Sequence, residues 1–339
     1  MKRRGKQTVI FDSPVGIIAT ASVVGPKEGQ GPLGPAFDMV VENPMFEADS
    51  WEKAESQFAR TAAYLSAKKA NAIMEDFDYI IAGDLLNQST GSTFGLRDTG
   101  RPYLGIFGAC SAMGEGMSLG GMLIDGGFAQ KLMCIASSHF CSAEKQFRFP
   151  LEFGSQRTPT SSWTVTGAAS VVLGGIATSG HPALMGCTTG KIVDMGVKDA
   201  NNMGAAMAGA AAETIATHFE DMGINADHYD MIVTGDLGYV GQDLLLQLLQ
   251  KKGHDISNNH RDCGIEIFDK NNQDTLNGGS GCACSGVTFA AHFYEKLCSG
   301  NVSKMLFVPT GALMSPTTLQ QGESIPGIAH AVVLERLGG

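Results

Sequence analysis

No run of about 18 apolar residues occurs in this 339-residue chain, so no segment is expected to cross a bilayer as a helix. Clustered Lys and Arg are missing beyond Lys2, Arg3, Arg4 and Lys6, and the net charge is −10. Phosphate backbones are held by clustered cations, so nucleic acid is not an expected partner. The basic start lacks the continuous apolar core of a secretory signal, because Asp12, Ser13 and Pro14 interrupt it; export is not expected. That basic run reads either as a solvated tail or as a contact for an anionic lipid surface. The eight cysteines form no pair of CxxC motifs, which argues against zinc, and no metal site is expected. Several lie inside apolar runs, as buried thiols of a reducing compartment do, so a cytosolic-type setting fits.

What is present is enough apolar sequence for a large core: 43% of residues are hydrophobic and 17% charged. The length suggests two domains or two fused halves. The 44 glycines have no fixed period and read as tight turns at strand ends. Short β-rich runs alternate with helical stretches, the pattern of an α/β fold. Residues 50–72 read as a helix with Trp51, Phe58, Ala62 and Leu65 on one face, capped by Asp49 with Glu52 three positions on. Strands are expected over 79–82, 131–136, 163–173, 191–197, 231–234, 304–308 and 328–334. Helices are expected over 205–219, 242–252 and 284–297, with Met203 and Met207 as core residues.

A weak internal repeat is more informative. Asp-Tyr-Ile-Ile-Ala-Gly-Asp-Leu from Asp78 to Leu85 matches Asp-Met-Ile-Val-Thr-Gly-Asp-Leu from Asp230 to Leu237 at five of eight positions. Ala109-Cys110-Ser111 then precedes the strand at Lys131 by the same interval, within one residue, as Ala283-Cys284-Ser285 precedes the strand at Lys304. Matching order favours duplication over chance, with halves at 1–180 and 181–339.

Gly108-Ala109-Cys110-Ser111-Ala112-Met113-Gly114 places a cysteine at a helix start, where the macrodipole favours thiolate and small neighbours permit close approach of a ligand. A buried thiol packing a helix start is the plainer reading. His139, after a strand, reads as a base, a ligand contact or a satisfied turn histidine. Arg157 reads as a mate for a ligand carboxylate, as a contact for a partner protein or as an ordinary surface ion pair, the last two being the plainer readings.

With Cys110 opening a small-residue helix, and with the Gly167-Ala-Ala-Ser-Val-Val-Leu and Ile328-Ala-His-Ala-Val-Val-Leu strands, the chain resembles the thiolase superfamily, its ketoacyl-synthase III branch especially. That resemblance implies an α/β thiolase-like fold, two duplicated halves stacked as αβαβα. It implies a nucleophilic Cys110, with Gly311 and Ala312 in the loop that supplies an oxyanion-hole N–H. It also implies a His after the strand at 231–234 and an Asn before the second buried helix, where this sequence has Asp236 and Ser280. An ionised Asp offers no donor to an oxyanion, and losing one such donor costs on the order of 3 kcal/mol. The expectation is a non-catalytic site; an acyl-transferring enzyme with Cys110 as thioester nucleophile is the alternative.

Segments 83–88, 147–160 and 235–238 further resemble a sporulation branch of that superfamily from spore-forming bacteria. The resemblance implies binding of dipicolinic acid, free or as its calcium chelate, for uptake into the developing spore and release at germination. It also implies membrane-embedded partner subunits, a peripheral position at the spore inner membrane, and a homodimer, with no cofactor. Asp84, Cys110, His139, Asp236, Ser280, Gly311 and Ala312 are then the candidate ligand contacts. A flat dianion wants N–H donors. Asp84 and Asp236 fit only if protonated, bonded to backbone N–H groups or accompanied by calcium, and bracing of loops is the favoured reading.

Overall fold

The computed structural model describes residues 2–147, 157–176 and 180–338, and it contains a 17-residue strand that the sequence pattern conceals. Strand β1 (Thr8–Val24) runs through Asp12, Ser13 and Pro14. Its pairing with the neighbouring strand jumps from Ile10 to Val15, and this bulge leaves Pro14 with no ladder bond to donate. The first half continues with β2 (Tyr79–Gly83), β3 (Tyr103–Gly105), β4 (Lys131–Ser138) and β5 (Gly167–Ile176). The second supplies β6 (Pro182–Thr188), β7 (Met231–Thr234), β8 (His260–Asp262), β9 (Lys304–Val308) and β10 (Ala331–Arg336).

These strands follow the order β8-β7-β9-β10-β6-β1-β5-β4-β2-β3. Outward from the β6–β1 junction, both directions give two antiparallel pairs and then two parallel ones. The repeat seen in the sequence is thus a repeat of topology. Its first aspartate has the same task in each copy. Asp78 accepts from the backbone N–H groups of Gln130 and Lys131 at 2.6 and 3.1 Å, and Asp230 from those of Ser303 and Lys304 at 2.8 and 2.9 Å. Each pins the start of the adjacent parallel strand.

The helices are α1 (Trp51–Lys69), α2 (Thr90–Leu96), α3 (Ala112–Asp125), α4 (Phe140–Phe147), α5 (Met203–Met222), α6 (Gly238–Lys251) and α7 (Cys282–Thr288). A π-turn at Phe289–Phe293 leads from α7 into α8 (Tyr294–Ser299). Alternation along the strands sorts side chains into layers. Ile80 joins Phe58 and Ala62 of α1 on one outer face, while Ile81 joins Met113 and Met117 of α3 inside. Ile232 and Leu306 face Ala210 and Ile215 of α5, while Val233 and Phe307 turn inward to Val287 of α7. The result is αβαβα with α3 and α7 buried in the middle. A glycine in a helix costs about 1 kcal/mol, and α3 keeps Gly121 because a Cβ there would sit 2.5 Å from the Phe11 ring.

Four local expectations are corrected. Residues 191–197 make a single bridge, Val193 to Gly327, with Lys191, Ile192 and Asp194 exposed. The strand is β6 instead, masked in the sequence by Pro182 and Gly186. The strand expected over 163–173 is split, with Trp163–Thr164 pairing with Gly279–Ser280 before β5 begins. Residues 328–334 break at His330, so that Gly327–Ala329 pairs with Thr310–Ala312. Ser50, not Asp49, caps α1, accepting from the Lys53 N–H at 3.3 Å, while Asp49 pairs with the Lys53 ammonium. Among the described residues no helix is long and apolar enough to cross a membrane. Most of the quoted segment 147–160 lies outside the described residues.

Replacing Asp78 or Asp230 by Ala should cost about 1 kcal/mol each, the net worth of an exposed charge-assisted pair of bonds. Urea denaturation of the two variants should give equal losses if the motif acts equivalently in both halves.

Candidate functional site

The chain leaves β3 along 106–108 and turns sharply into α3. Ala109 takes φ +48°, in the left-handed region, at a cost on the order of 1 kcal/mol for a residue with a Cβ. The Ser111 hydroxyl and N–H both donate to the Gly108 carbonyl, at 2.7 and 3.0 Å, closing the turn. Cys110 is presented at the floor of a cleft walled by Leu85, Phe107, Phe147, Met203 and Met314. Thr164, Ser280, Glu144 and Ala312 also line it, with Ala109, Ala143, Ala200 and Gly281 between them. Among these described residues there is no lysine, arginine, histidine or asparagine. Met207 is buried as expected, whereas Met203 turns out to be a wall residue.

Asp236 lies beneath the thiol, fully buried at the end of β7. Its Oδ2 accepts from the Ser280 hydroxyl at 2.6 Å and the Gly281 N–H at 3.1 Å, and its Oδ1 from the Thr310 hydroxyl at 2.8 Å. Ser280 Oγ is 3.8 Å from Cys110 Sγ. The Ser280 proton is committed to the carboxylate, so its oxygen presents acceptor lone pairs to the cleft. Asp236 and Ser280, expected where the resemblance implies His and Asn, are thus both brought to the sulfur.

Electrostatics reverse the expectation of a thiolate. Burial, then the Asp236 carboxylate, push the Cys110 thiol well above its ordinary range. A helix dipole contributes roughly 1 kcal/mol at a helix start, and here desolvation and a like charge outweigh it. Burial also raises Asp236, against the hydrogen bonds that favour its charge.

The other candidates divide. Gly311 packs on the cysteine turn so closely that a Cβ would sit 2.2 Å from the Gly108 carbonyl oxygen. Asp84 is buried but does not line the cleft; it accepts from the Leu86 N–H at 2.9 Å and from the Ser92 N–H and hydroxyl at 2.7 and 2.6 Å. It braces its own loop. His139 is not at the cleft. Its Nδ1 accepts from the Cys141 N–H at 3.1 Å, its Nε2 donates to the Pro44 carbonyl at 2.9 Å, and burial lowers its pKa. It is a satisfied neutral histidine. Arg157 pairs with Asp274 at 2.8 Å, the ordinary ion pair.

Sequence reading missed three groups. Thr310 clamps Asp236 from a hairpin 74 residues away, and nothing local marks it. Glu55 sits on the buried face of α1 and accepts from Ser142 and Ser137 at 2.7 and 3.3 Å; an acid between Ala54 and Phe58 was the available signal. Asp262 accepts from Thr234 at 2.6 Å and from the Leu237 and Gly238 N–H groups at 3.0 Å. Among the described residues, no group of three or more His, Cys, Asp or Glu is placed to hold a metal.

A duplicated αβαβα frame with a cysteine at the mouth of a buried helix defines a thiolase-like fold. Solved structures agree on the fold: 3-oxoacyl-[acyl-carrier-protein] synthase III of Aquifex aeolicus superposes with a TM-score of 0.56 at 14% identity, over 95% of this chain and 99% of that one. Cerulenin-bound OleA of Xanthomonas campestris gives 0.59 at 16% identity, over 95% and 97%. The tetronic acid condensing enzyme AbyA1 gives 0.59 at 16%, over 95% and 99%. The chain belongs to the stage V sporulation protein AD family, whose model matches residues 5–335. It is 42% identical over 339 residues to stage V sporulation protein AD of Bacillus subtilis strain 168, covering all of this chain and 99% of that one.

Gly311→Ala should cost roughly 3 kcal/mol by overpacking the cysteine turn, seen as a lower denaturation midpoint. The pH response should follow the buried acids. Glu55 is pushed up to about 8, and Glu28 and Asp262 to about 7, in each case chiefly by burial. Burial also pushes His218, His260 and His330 down from 6.5 to about 4. Between pH 4 and 6.5 the two sets oppose, since the unfolded chain binds the histidine protons and the folded one the carboxyl protons. Above about 6.5 the carboxyls act alone, the folded state holds more protons, and stability falls toward pH 8. Thermal midpoints should drop across that interval, and Glu55→Gln should flatten the drop.

Proposed function

We propose that this member of a sporulation family holds dipicolinic acid at the Cys110 cleft without transforming it, as a step in moving it into the developing spore and out at germination. The observation that carries the reading is the expenditure of hydrogen-bond donors around the sulfur. Ser280, Gly281 and Thr310 all donate to Asp236, and the thiol is held neutral. An acyl-transfer site needs those donors free for an oxyanion and a nucleophile that ionises.

The same floor selects the form of the ligand. With no cationic side chain in the described lining and a carboxylate just beneath, a free dianion meets an unfavourable field. The one-to-one calcium chelate is neutral, and its metal and flat ring suit an acceptor floor and apolar walls. Calcium is cargo in this reading, held by the ligand's own atoms. The empty space is narrow, since water centres fit in only about 40 Å³ of it. The flexible Met203 and Met314 walls therefore yield to admit a ring.

Work beside membrane-embedded subunits at the spore inner membrane, and a homodimer, belong to the same proposal. Edge strand β3 supports the dimer: among the described residues it pairs on one side only, and its Leu104 and the nearby Phe107 are 41% and 51% exposed.

Calorimetric titration should show the calcium chelate binding about tenfold or more tightly than dipicolinate in the presence of a chelator, since one uncompensated charge in an apolar site is worth at least that. Cys110→Trp should abolish the heat by filling the floor. Equal affinities would remove the neutral-ligand claim. Turnover of an acyl-coenzyme A through a Cys110 adduct, seen by intact mass, would establish the enzyme instead.

A further inference from the structure

The loop after β2 is the most strained segment beside the cleft. Gln88 and Ser89 are consecutive residues with side chains at φ 55° and 51°, and both carry left-handed ψ values, 30° and 46°. Such residues visit that region singly, and a neighbouring pair needs outside restraint. Asp84 supplies part of it, through Leu86 and Ser92, and one carboxamide supplies the rest from α4. The Gln146 side-chain amide donates to the Leu85 carbonyl at 2.8 Å and accepts from the Asn87 N–H at 3.1 Å, bridging the loop ahead of the strained pair. The helix bearing Gln146 is itself tied down, through Lys145 to Glu52 of α1 at 2.7 Å.

This loop and α4 form a partition between two clefts. Leu85, Ala143 and Phe147 face the Cys110 cleft on one side. Leu86, Asn87, Gln88, Lys145 and Gln146 face an open polar cleft on the other. The restraint sits on the outer side, where water and solutes compete for a carboxamide, while the residue it holds in place, Leu85, walls the inner cleft.

We propose that Gln146 is a latch that holds the strained loop 85–89 closed against the Cys110 cleft, so that breaking its two hydrogen bonds lets Leu85 swing out and opens the way to the floor. The latch is a positioning residue for the binding site proposed above. Its physical claim is independent of which ligand enters, because the thiol on the floor reports access directly.

The test uses the full chain with the two half-buried thiols replaced, Cys141→Ser and Cys298→Ser. Modification of Cys110 by N-ethylmaleimide is followed by intact mass at fixed pH, with peptide mapping to confirm the site. Gln146→Ala removes both bonds and should speed modification about thirtyfold, the effect of two ordinary hydrogen bonds on an opening equilibrium. Gln146→Glu loses one of the two and should speed it about fivefold, since a carboxylate has no proton to donate to the Leu85 carbonyl. Gln88→Gly relieves the strain that pulls against the latch and should slow modification about fivefold. That opposite sign distinguishes a loaded latch from a merely structural glutamine. Unchanged rates in Gln146→Ala with an unaltered thermal midpoint, or faster modification in Gln88→Gly, would overturn the proposal. Should Gln146→Ala not fold, the Gln88→Gly comparison decides alone. Absence of dipicolinate binding would leave these rates untouched, so the two readings fail separately.

Discussion

The buried carboxylate of Asp236 is the point on which the site turns. It joins the end of β7 to the start of α7 through Ser280 and Gly281, and to the hairpin strand through Thr310. A charge taken out of water is costly unless several donors meet it, and three do. Their commitment has consequences one atom further on. Ser280 is left with only lone pairs toward the cleft, and the thiol beside it is kept from ionising. A scaffold shared with condensing enzymes is thereby given a floor that accepts hydrogen bonds instead of donating them.

The two halves show how a duplicated frame diverges. Asp84 and Asp236 occupy the same place in the repeat, each after a strand-terminal glycine. Asp84 spends its oxygens nearby, on Leu86 and Ser92, whereas Asp236 reaches two places remote in sequence, the start of α7 and the hairpin strand. Each is accompanied by a second buried acid, Glu55 in the first half and Asp262 in the second, pushed up to about 8 and about 7 chiefly by burial. The symmetry of the backbone is retained while the symmetry of the chemistry is lost.

Part of the backbone strain lies beside the same cleft. Ala109 is left-handed where it presents Cys110, and Gln88 and Ser89 are left-handed where the loop meets α4. Such conformations persist where the surroundings over-determine them. The Gly311 contact does so for the cysteine turn, and Asp84 with Gln146 for the loop.

Much of the architecture was legible beforehand because it is written in local chemistry. The paired Asp-x-Ile-x-x-Gly-Asp-Leu segments announced the duplication, since each copy must end a buried strand and pin its neighbour. The alternation of buried strands with small-residue helices pointed to α/β layers, and the family pattern placed Cys110, Asp236 and Ser280 together. Strands β1 and β6 were hidden because Pro14, Pro182 and Gly186 signal turns, and only the pairing partner shows that the ladder steps over them. His139 was misplaced because the direction of its ring depends on Pro44, 95 residues away. Sequence by itself determined the class of fold and the identity of the groups at the sulfur, for residue type and order carry that information. Whether those groups donate or accept, whether the thiol ionises, and which loop guards it were decided by tertiary structure alone, because each depends on what burial brings within 3 Å.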